Sequence, residues 1–462
     1  MLLKKRNASF VVLRGRRRIG KSRLIEEFGK GATCHLFTGL PPSNATTKQL
    51  QIDTFCRQMS RQFGMPPLQT NDWGEVFWHL GQQVARGRHI LALDEISWIG
   101  SKDPQFLGHL KTAWDLYFSK NPLLILIVCG SVSSWIERNI MSNTGFVGRI
   151  SLDMHLEELP LSDAVKFWDS CQQRTSWYEI FKVLAVTGGI PRYLEEIVPQ
   201  RSAEQNIRDL CFQSDGFLYG EFDRIFSDLF SNQAPTYAKI LESLAPSAST
   251  LSELGERTGI YREATLISHL KDLCQAGFVQ EAPTWNLISG KTSKLKRYRL
   301  SDNYIRFYLT YILPNRERIE FNLFGSASLS ELAGYEGMLG LQFENLVLKN
   351  THALLAALDI QPTDVIRYGP FFQRPTLRAR GCQIDLMIQT RYRVLYLCEI
   401  KFRKQKVGIQ TVRELSHKHK RLSLPRGWST RSVLVHINGV TDQVASADEI
   451  DHVIDFSELI VG

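Results

Sequence analysis

The sequence predicts a multidomain α/β protein, and three observations lead to this prediction. The chain has 462 residues, which is too long for one hydrophobic core and favours two to four domains. Residues 10–200 alternate short β-branched runs with segments of helical periodicity, as α/β proteins do. A second α/β pattern starts near residue 335, after a stretch of short helices and a basic hairpin.

The composition is that of an ordinary soluble globular protein, with 43% hydrophobic, 22% charged and 10% aromatic residues. The formal net charge of +9 favours polyanionic partners. The eight cysteines form no CxxC pair, so we expect buried, reduced thiols and no zinc site. The N-terminus lacks a signal-peptide core, and the longest apolar stretch, Leu123–Cys129, is too short to span a membrane. We therefore expect a cytoplasmic protein.

Near-continuous apolar runs predict buried parallel strands in the first part of the chain, at Phe10–Arg14, His89–Leu93 and Leu123–Cys129. A helical, lid-like region follows and ends near the breaker cluster Gly188-Gly189-Ile190-Pro191. We therefore expect one domain over residues 1–155 and a helical lid over residues 156–234.

The first predicted strand leads into Gly15-Arg-Arg-Arg-Ile-Gly20-Lys21-Ser22, which matches the phosphate-binding pattern GxxxxGK[ST] between a strand and a helix. Backbone N–H groups of such a loop wrap phosphates, and the following helix directs its positive end at them. Lys21 would reach the β- and γ-phosphates, and the Ser22 hydroxyl would bind Mg²⁺. The loop therefore predicts binding of ATP with Mg²⁺, and Gly15 and Gly20 shape it.

Two acids at the end of the second predicted strand support this site. The run Ile90–Leu93 leads directly into Asp94 and Glu95. In P-loop ATPases with an additional strand, the first acid holds Mg²⁺ and the second polarises the attacking water. Taken alone, such a pair is usually solvated surface. Beside an intact P-loop it predicts hydrolysis, with Asp94 as metal ligand and Glu95 as catalytic residue.

Two further residues are candidates for contact with the reacting phosphate. Ser131 follows the third predicted strand and would sense the γ-phosphate or the water. Arg149, in Gly145-Phe-Val-Gly-Arg149, would act as an arginine finger that neutralises charge in the transition state. The alternatives are a capping hydroxyl for Ser131 and a surface ion pair for Arg149.

Taken together, these motifs resemble the archaeal-type ATPases of the AAA+/STAND-related group. The matching segments are the P-loop, Leu93-Asp-Glu-Ile96, Cys129-Gly-Ser131 and Gly188-Gly-Ile-Pro-Arg-Tyr-Leu194, and the resemblance extends over essentially the whole chain. It implies a RecA-like core, a helical lid and a C-terminal extension. The family usually has a Gly-Arg-Glu box and a helix before the first strand, near the adenine. Because Met1 falls after that point, either the start is truncated or misassigned, or base recognition is weakened.

Residues 235–300 predict a winged helix-turn-helix, with helices at Tyr237–Leu244, Leu251–Arg257 and Glu263–Gln275 and a turn at Gly259. The second half of the following hairpin carries five basic residues and no acid, which favours contact with DNA phosphates. The alternative is a bare interaction module. The predicted DNA-binding residues are Lys294, Lys296, Arg297 and Arg299.

After a connecting segment over residues 301–334, residues 335–462 predict an apolar helix at Met338–Leu358 and strands at Gln383–Ile388 and Arg393–Phe402. The last strand places Glu399 and Lys401 on one face, which is unusual for a core strand because buried charges need partners. Asp385 lies fourteen residues before Glu399, a hairpin distance, and Glu344 lies on the preceding helix.

This Glu…Asp…Glu-x-Lys arrangement resembles the PD-(D/E)xK nuclease superfamily, although Ile384 stands where the motif has proline. The resemblance implies a restriction-endonuclease-like α/β domain in which Asp385 and Glu399 hold Mg²⁺ with help from Glu344. Lys401 would neutralise the pentavalent phosphorus. Ten Lys or Arg against one acid between residues 401 and 431 favour a nucleic-acid channel beside this acid cluster. The alternative is a solvated basic helix, which is usual for such charge runs.

The sequence therefore predicts an ATPase that couples a nucleotide switch to DNA binding and metal-dependent DNA cleavage. One alternative is a STAND-like sensor whose nuclease fold only binds nucleic acid. Another is an ATP-dependent regulator of transcription that reads DNA with the winged helix. A homo-oligomer is expected if Arg149 acts on a neighbouring site, and no membrane partner is expected.

Overall fold

The computed structural model describes residues 2–461 except 42, 44, 132, 170, 172, 173, 231, 232, 325–327 and 376–379. The chain divides into two compact units, Met1–Glu157 and Glu158–Gly462. The boundary lies two residues after the predicted end of the first domain. The predicted lid, helix-turn-helix, connecting segment and C-terminal domain all fall in the second unit, and their subdivision stays a prediction.

Within the described residues, the first unit is built on a parallel sheet of five strands: β1 (Ser9–Arg14), β2 (Thr33–Thr38), β3 (His89–Asp94), β4 (Ile125–Gly130) and β5 (Ile150–His155). Its helices are α1 (Lys21–Gly29), α2 (Lys48–Phe63), α3 (Trp73–Gln83), α4 (Ile96–Ile99), α5 (Phe106–Leu116) and α6 (Ser133–Ile136). The strand order is β2-β3-β4-β1-β5.

Strands β1, β3 and β4 lie where the apolar runs predict them, because they are the buried centre of the sheet. Strands β2 and β5 are at the edges and half exposed, so their mixed sequences gave no such run. Because β4 stands between β1 and β3 and all are parallel, the loops that follow these three strands meet at one edge of the sheet. A RecA-like core with an additional strand therefore brings the predicted nucleotide residues together.

The second unit contains the helices α7 (Leu161–Ala164), α8 (Trp177–Thr187), α9 (Pro191–Leu194), α10 (Ala203–Cys211), α11 (Glu221–Phe230), α12 (Ala234–Leu244), α13 (Leu251–Thr258), α14 (Glu263–Gln275), α15 (Asn303–Phe307), α16 (Arg316–Glu320), α17 (Tyr335–Lys349), α18 (Thr351–Ala357), α19 (Gln410–Arg421), α20 (Asp442–Ala445) and α21 (Glu458–Val461). Its strands are β6 (Val279–Trp285), β7 (Thr292–Leu300), β8 (Val365–Gln373), β9 (Cys382–Thr390), β10 (Val394–Ile400), β11 (Ser429–His436) and β12 (His452–Asp455).

The described strands of the second unit form a hairpin, β6-β7, and a mixed sheet in the order β12-β11-β10-β9-β8. Strands β8, β9 and β10 are antiparallel neighbours, whereas β10, β11 and β12 run parallel. The hairpin packs on this sheet, because the Trp285 indole donates to Gln389 Oε1 at 2.6 Å and Gln389 Nε2 donates to Leu287 O at 2.8 Å. Trp285 also contacts Phe371 edge to face.

Local capping explains where the helices before this hairpin begin and end. Thr250 and Glu253 form a capping box at the start of α13, and Gly259 ends it in the left-handed conformation with φ 70°. Helix α14 has the bounds that the sequence predicts. The winged helix-turn-helix itself stays an interpretation of these elements.

One expectation about the helical segments is corrected. The single helix predicted over Met338–Leu358 is two helices, because the chain breaks at Asn350, whose side-chain Oδ1 accepts from Leu161 N at 2.9 Å. Residues 301–334, predicted as a connecting segment, contribute fully buried side chains, among them Tyr304 and Phe307. Helix α8 of the lid-like region also joins this core, where Phe181 contacts Phe343 and Phe402.

No helix in the described part of the chain is both long enough and apolar enough to cross a membrane.

Candidate active sites

The P-loop is held in shape by two glycines that no other residue can easily replace. A Cβ atom on Gly15 would lie 2.5 Å from the Leu156 carbonyl oxygen, and Gly20 caps α1 with φ 90°. Lys21, the first residue of α1, folds back so that its Nζ donates to the carbonyl oxygens of Gly15 and Arg16, both at 2.9 Å. Burial lowers the pKa of Lys21. The buried ammonium thus sits inside the loop, where phosphate oxygens are expected.

The predicted magnesium ligands lie in direct contact. Ser22 Oγ donates to Asp94 Oδ2 at 2.7 Å, which joins the P-loop to the end of β3. A hydroxyl and a carboxylate are the oxygen ligands that Mg²⁺ uses beside nucleotide phosphates, so these residues fit the ion. Cys129 was not among the predicted site residues, but its thiol donates to the other oxygen, Asp94 Oδ1. The available signal was its position at the end of β4, beside β3.

Glu95 is held in place by strained backbone and by Ser131. Its backbone is left-handed, with φ 50° and ψ 52°, which is costly for a residue other than glycine and is typical of functional positions. The backbone N and the hydroxyl of Ser131 both donate to Glu95 Oε2 at 3.1 Å. Burial raises the pKa of the Glu95 carboxyl. Ser131 therefore positions Glu95, an arrangement that neither alternative for Ser131 anticipated.

Arg149 lies at the wrong edge of the sheet to act on the nucleotide of its own chain. It directly precedes β5, which runs parallel to β1 with Phe10 opposite Ile150. The P-loop follows the far end of β1, about 20 Å away for a strand of this length. The Arg149 guanidinium instead donates to both carboxylate oxygens of Asp115, at 2.7 and 2.9 Å. Within one chain the ion pair forms, as the alternative interpretation has it, and a role as a finger for a neighbouring chain stays a prediction.

Comparison with known families defines the class of the first unit. A family model described as an AAA domain matches residues 4–136, which include the P-loop, the acidic pair and Ser131. With the site geometry, this match establishes an AAA-type P-loop ATPase domain whose ligands are ATP and Mg²⁺.

Matches that extend beyond this domain are to more distant relatives. An uncharacterized protein of Methanocaldococcus jannaschii is 25% identical over 383 residues, which cover 82% of this chain and 80% of that protein. A Walker-type ATPase of Pyrococcus abyssi superposes with TM-score 0.48 and 16% identity, over 65% of this chain and 90% of that chain. The ORC2 protein of Aeropyrum pernix gives TM-score 0.36 and 15% identity, over 68% and 89%. Superpositions this loose do not establish an architecture.

In the second unit, Asp385 and Glu399 lie side by side on adjacent strands. Antiparallel pairing of β9 with β10 sets Leu386 opposite Cys398, so the two acids are the next pair along the ladder. Asp385 Oδ2 accepts from Ile400 N at 3.0 Å, and Glu399 is fully buried. Burial, and then repulsion by Glu399, raise the pKa of Asp385 to about 7. A nearby cation stabilises the ionised form of two carboxylates that lie this close together.

Two lysines supply positive charge to these acids. Lys401 Nζ is 2.8 Å from Glu399 Oε1 and 3.4 Å from Glu414. Lys418 Nζ is 2.5 Å from Glu399 Oε2 and 3.6 Å from Asp385 Oδ1. Lys418 was absorbed into the basic run and missed as a site residue. No local sequence pattern links Lys418 to these acids, because they lie on β9 and β10 and only the packing of α19 brings them together.

Glu344 lies on α17 as predicted, but another partner holds it. Arg299 Nη1 is 3.2 Å from Glu344 Oε1, and the same guanidinium donates to Asn345 Oδ1. Accordingly, the described residues include no group of three His, Cys, Asp or Glu side chains arranged to hold a metal. Asp385 and Glu399 are two adjacent oxygen donors of the kind that a divalent ion takes, and the third acid predicted for that ion, Glu344, is paired with Arg299 instead.

The predicted DNA-binding residues of the hairpin are largely turned to other partners. Arg299 is buried against Glu344, so its assignment to DNA is wrong. Lys296 pairs with Glu281 at 3.1 Å, and Arg297 donates to Gln383 Oε1 at 2.8 Å, while Lys294 is exposed. A more accessible basic surface lies on and around α19, with exposed Arg403, Lys404, Lys406, Arg413, Lys420, Arg421 and Arg426.

Proposed function

We propose that this AAA-type ATPase uses its nucleotide cycle to control a DNA-binding second unit that cleaves DNA with a divalent metal ion. The single observation that supports cleavage is the pair of adjacent carboxylates, Asp385 and Glu399, with Lys401 on the same strand end. Their spacing in the sequence matches a metal-dependent nuclease site, and so does their mutual repulsion, which a bound cation would relieve.

At the nucleotide site, each residue has a separable task. Lys21 would bind the β- and γ-phosphate oxygens, while Ser22 and Asp94 would hold the magnesium ion. Glu95 orients the attacking water and accepts its proton, and its burial suits a carboxylate that must take up a proton. Ser131 keeps the Glu95 carboxylate pointed along one direction by donating to Oε2.

At the second site, Asp385 and Glu399 would hold the metal ion, which when bound supplies an activated water and stabilises the leaving oxygen. Lys401 lies beside Glu399 and would turn to the scissile phosphate, where its ammonium offsets negative charge. The exposed basic surface around α19 would hold the DNA backbone through counterion release, so binding should weaken as salt rises.

One observation favours a second candidate, a switch whose nuclease-like fold only binds nucleic acid. Glu344 is engaged by buried Arg299, and both remaining acids already have lysine partners. A site neutralised in this way can be structural, because buried ion pairs persist without any catalytic role.

The discriminating experiment uses the full chain with linear, circular, nicked and single-stranded DNA, with Mg²⁺ or Mn²⁺, with and without ATP. Asp385→Ala and Lys401→Ala should each stop cleavage and leave ATP hydrolysis unchanged, because neither residue belongs to the nucleotide site. The matched control is Glu449→Ala, an exposed acid of the same unit, which should cut as wild type does. If no substrate is cut, and a metal-soaked crystal shows Asp385 and Glu399 turned apart, the binding-only candidate replaces this proposal.

A further inference from the structure

Lys418 has a position that neither packing nor DNA binding explains by itself. Its Nζ lies between the two acids, 2.5 Å from Glu399 Oε2 and 3.6 Å from Asp385 Oδ1. Three-quarters of the side chain is covered, whereas its helical neighbours Lys420 and Arg421 are exposed. A long charged side chain normally keeps its ammonium in water, so this one is held inward by the carboxylates.

The ammonium of Lys418 occupies the place that a shared divalent ion would take. An ion bound by Asp385 and Glu399 must contact one oxygen of each at about 2.1 Å if it is Mg²⁺. Glu399 Oε2 and Asp385 Oδ1 are the oxygens that Lys418 approaches. The ammonium and the metal ion therefore exclude each other, both by volume and by charge.

Lys401 does not compete in this way. It approaches the other oxygen of Glu399, Oε1, and has a second acid, Glu414, at 3.4 Å. With a metal ion bound, Lys401 keeps partners, whereas Lys418 loses both of its own.

We propose that Lys418 is a built-in counter-ion of the Asp385–Glu399 site, which keeps the two carboxylates together without metal and must be displaced when a divalent cation binds. The inference rests on the metal site of the proposed function. Displacement frees the ammonium at the border of the basic surface of α19, where a nucleic-acid phosphate would receive it. Metal binding and phosphate binding would then support each other.

The test measures Mn²⁺ binding to the full, nucleotide-free chain by calorimetry and by thermal unfolding. Mn²⁺ binding at this site is defined as the part of the wild-type binding signal that is lost in Asp385→Asn. Lys418→Met should bind Mn²⁺ about tenfold more tightly than wild type, because no ammonium has to leave. In EDTA it should melt at a lower temperature, since two crowded acids lose their counter-ion, and Mn²⁺ should raise its melting temperature more than that of wild type. Lys420→Met, on the exposed face of the same helix, should behave as wild type.

Lys418→Gln keeps the length of the side chain without its charge, and it takes the place of Lys418→Met if that variant does not fold. Equal or weaker Asp385-dependent Mn²⁺ binding in the Lys418 variants would overturn the counter-ion role and leave the metal site standing. Absence of Asp385-dependent Mn²⁺ binding in every variant would overturn the metal site of the proposed function, and the counter-ion role with it.

Discussion

The two candidate sites use the same side chains, a pair of acids and lysine, in opposite ways. At the nucleotide site, Lys21 donates to carbonyl oxygens of its own loop and leaves Asp94 to Ser22. At the second site, the lysines form ion pairs with the acids themselves. The first site is prepared to receive charged ligands, whereas in the second a metal ion would have to compete with charges of the protein.

The largest expected effect concerns the prepared site. Lys21→Ala should abolish ATP binding, because the loop loses its one buried ammonium for the phosphates. Glu95→Gln should bind ATP normally and lose turnover by at least about a hundredfold, since the amide cannot accept a proton. Nucleotide titration and steady-state hydrolysis separate the two effects, and Lys30→Ala, an exposed lysine just after α1, is the control. Equal hydrolysis by wild type and Glu95→Gln would remove Glu95 from the mechanism.

A second prediction concerns the crowded site and its dependence on pH. The folded pKa of Asp385, about 7, lies above its ordinary value of 3.8, because of burial and of Glu399. Between these values the folded chain holds a proton that the unfolded chain has lost, so stability falls as pH rises through this window. The Asp385→Asn variant lacks this proton. Measured in EDTA, its free energy of unfolding minus that of wild type should therefore increase from pH 4 to pH 8. Parallel pH profiles for both proteins would contradict the raised pKa, and exposed Asp448→Asn is the control.

A smaller effect is expected at Ser131, because only half of its contact with Glu95 depends on the side chain. Ser131→Ala removes the hydroxyl donor and keeps the backbone donor, both of which serve Glu95 Oε2 at 3.1 Å. We expect a loss of turnover of about tenfold with unchanged ATP affinity, consistent with one lost hydrogen bond of about 1.5 kcal/mol to a charged group. Unchanged turnover would show that the backbone N–H suffices to orient Glu95.

The smallest effect is expected at Arg149, which is paired with Asp115 far from the P-loop of its own chain. Arg149→Ala should leave the hydrolysis rate per chain unchanged in dilute solution. Only assembly of chains would bring Arg149 to a neighbouring nucleotide, and the rate per chain would then rise with protein concentration in wild type alone. A rate per chain that stays constant while the enzyme passes from monomer to oligomer would exclude that role.

The comparison also explains what could be predicted from the sequence. The nucleotide site follows from short contiguous patterns, since Gly15, Lys21 and Ser22 lie within one loop and Asp94 directly ends a buried strand. The pairing of Asp385 with Glu399 was predictable from strand spacing. Lys418 and Arg299 were not assigned to their acids, because long-range packing of a helix and a hairpin determines those contacts. Strands β2 and β5 gave no apolar run because they are half exposed at the sheet edges.

The packing of the β6-β7 hairpin on the C-terminal sheet limits where this chain can be cut into fragments that still fold. A fragment that starts at residue 335 would expose the apolar surface that Trp285 and Leu287 cover. It would also leave the buried amide of Gln389 without either of its partners, at about 1–3 kcal/mol for each unpaired group. The fragment would also lack Arg299, so Glu344 would lose its positively charged partner. The C-terminal sheet therefore depends on its hairpin, and a fragment designed to carry this sheet must include both.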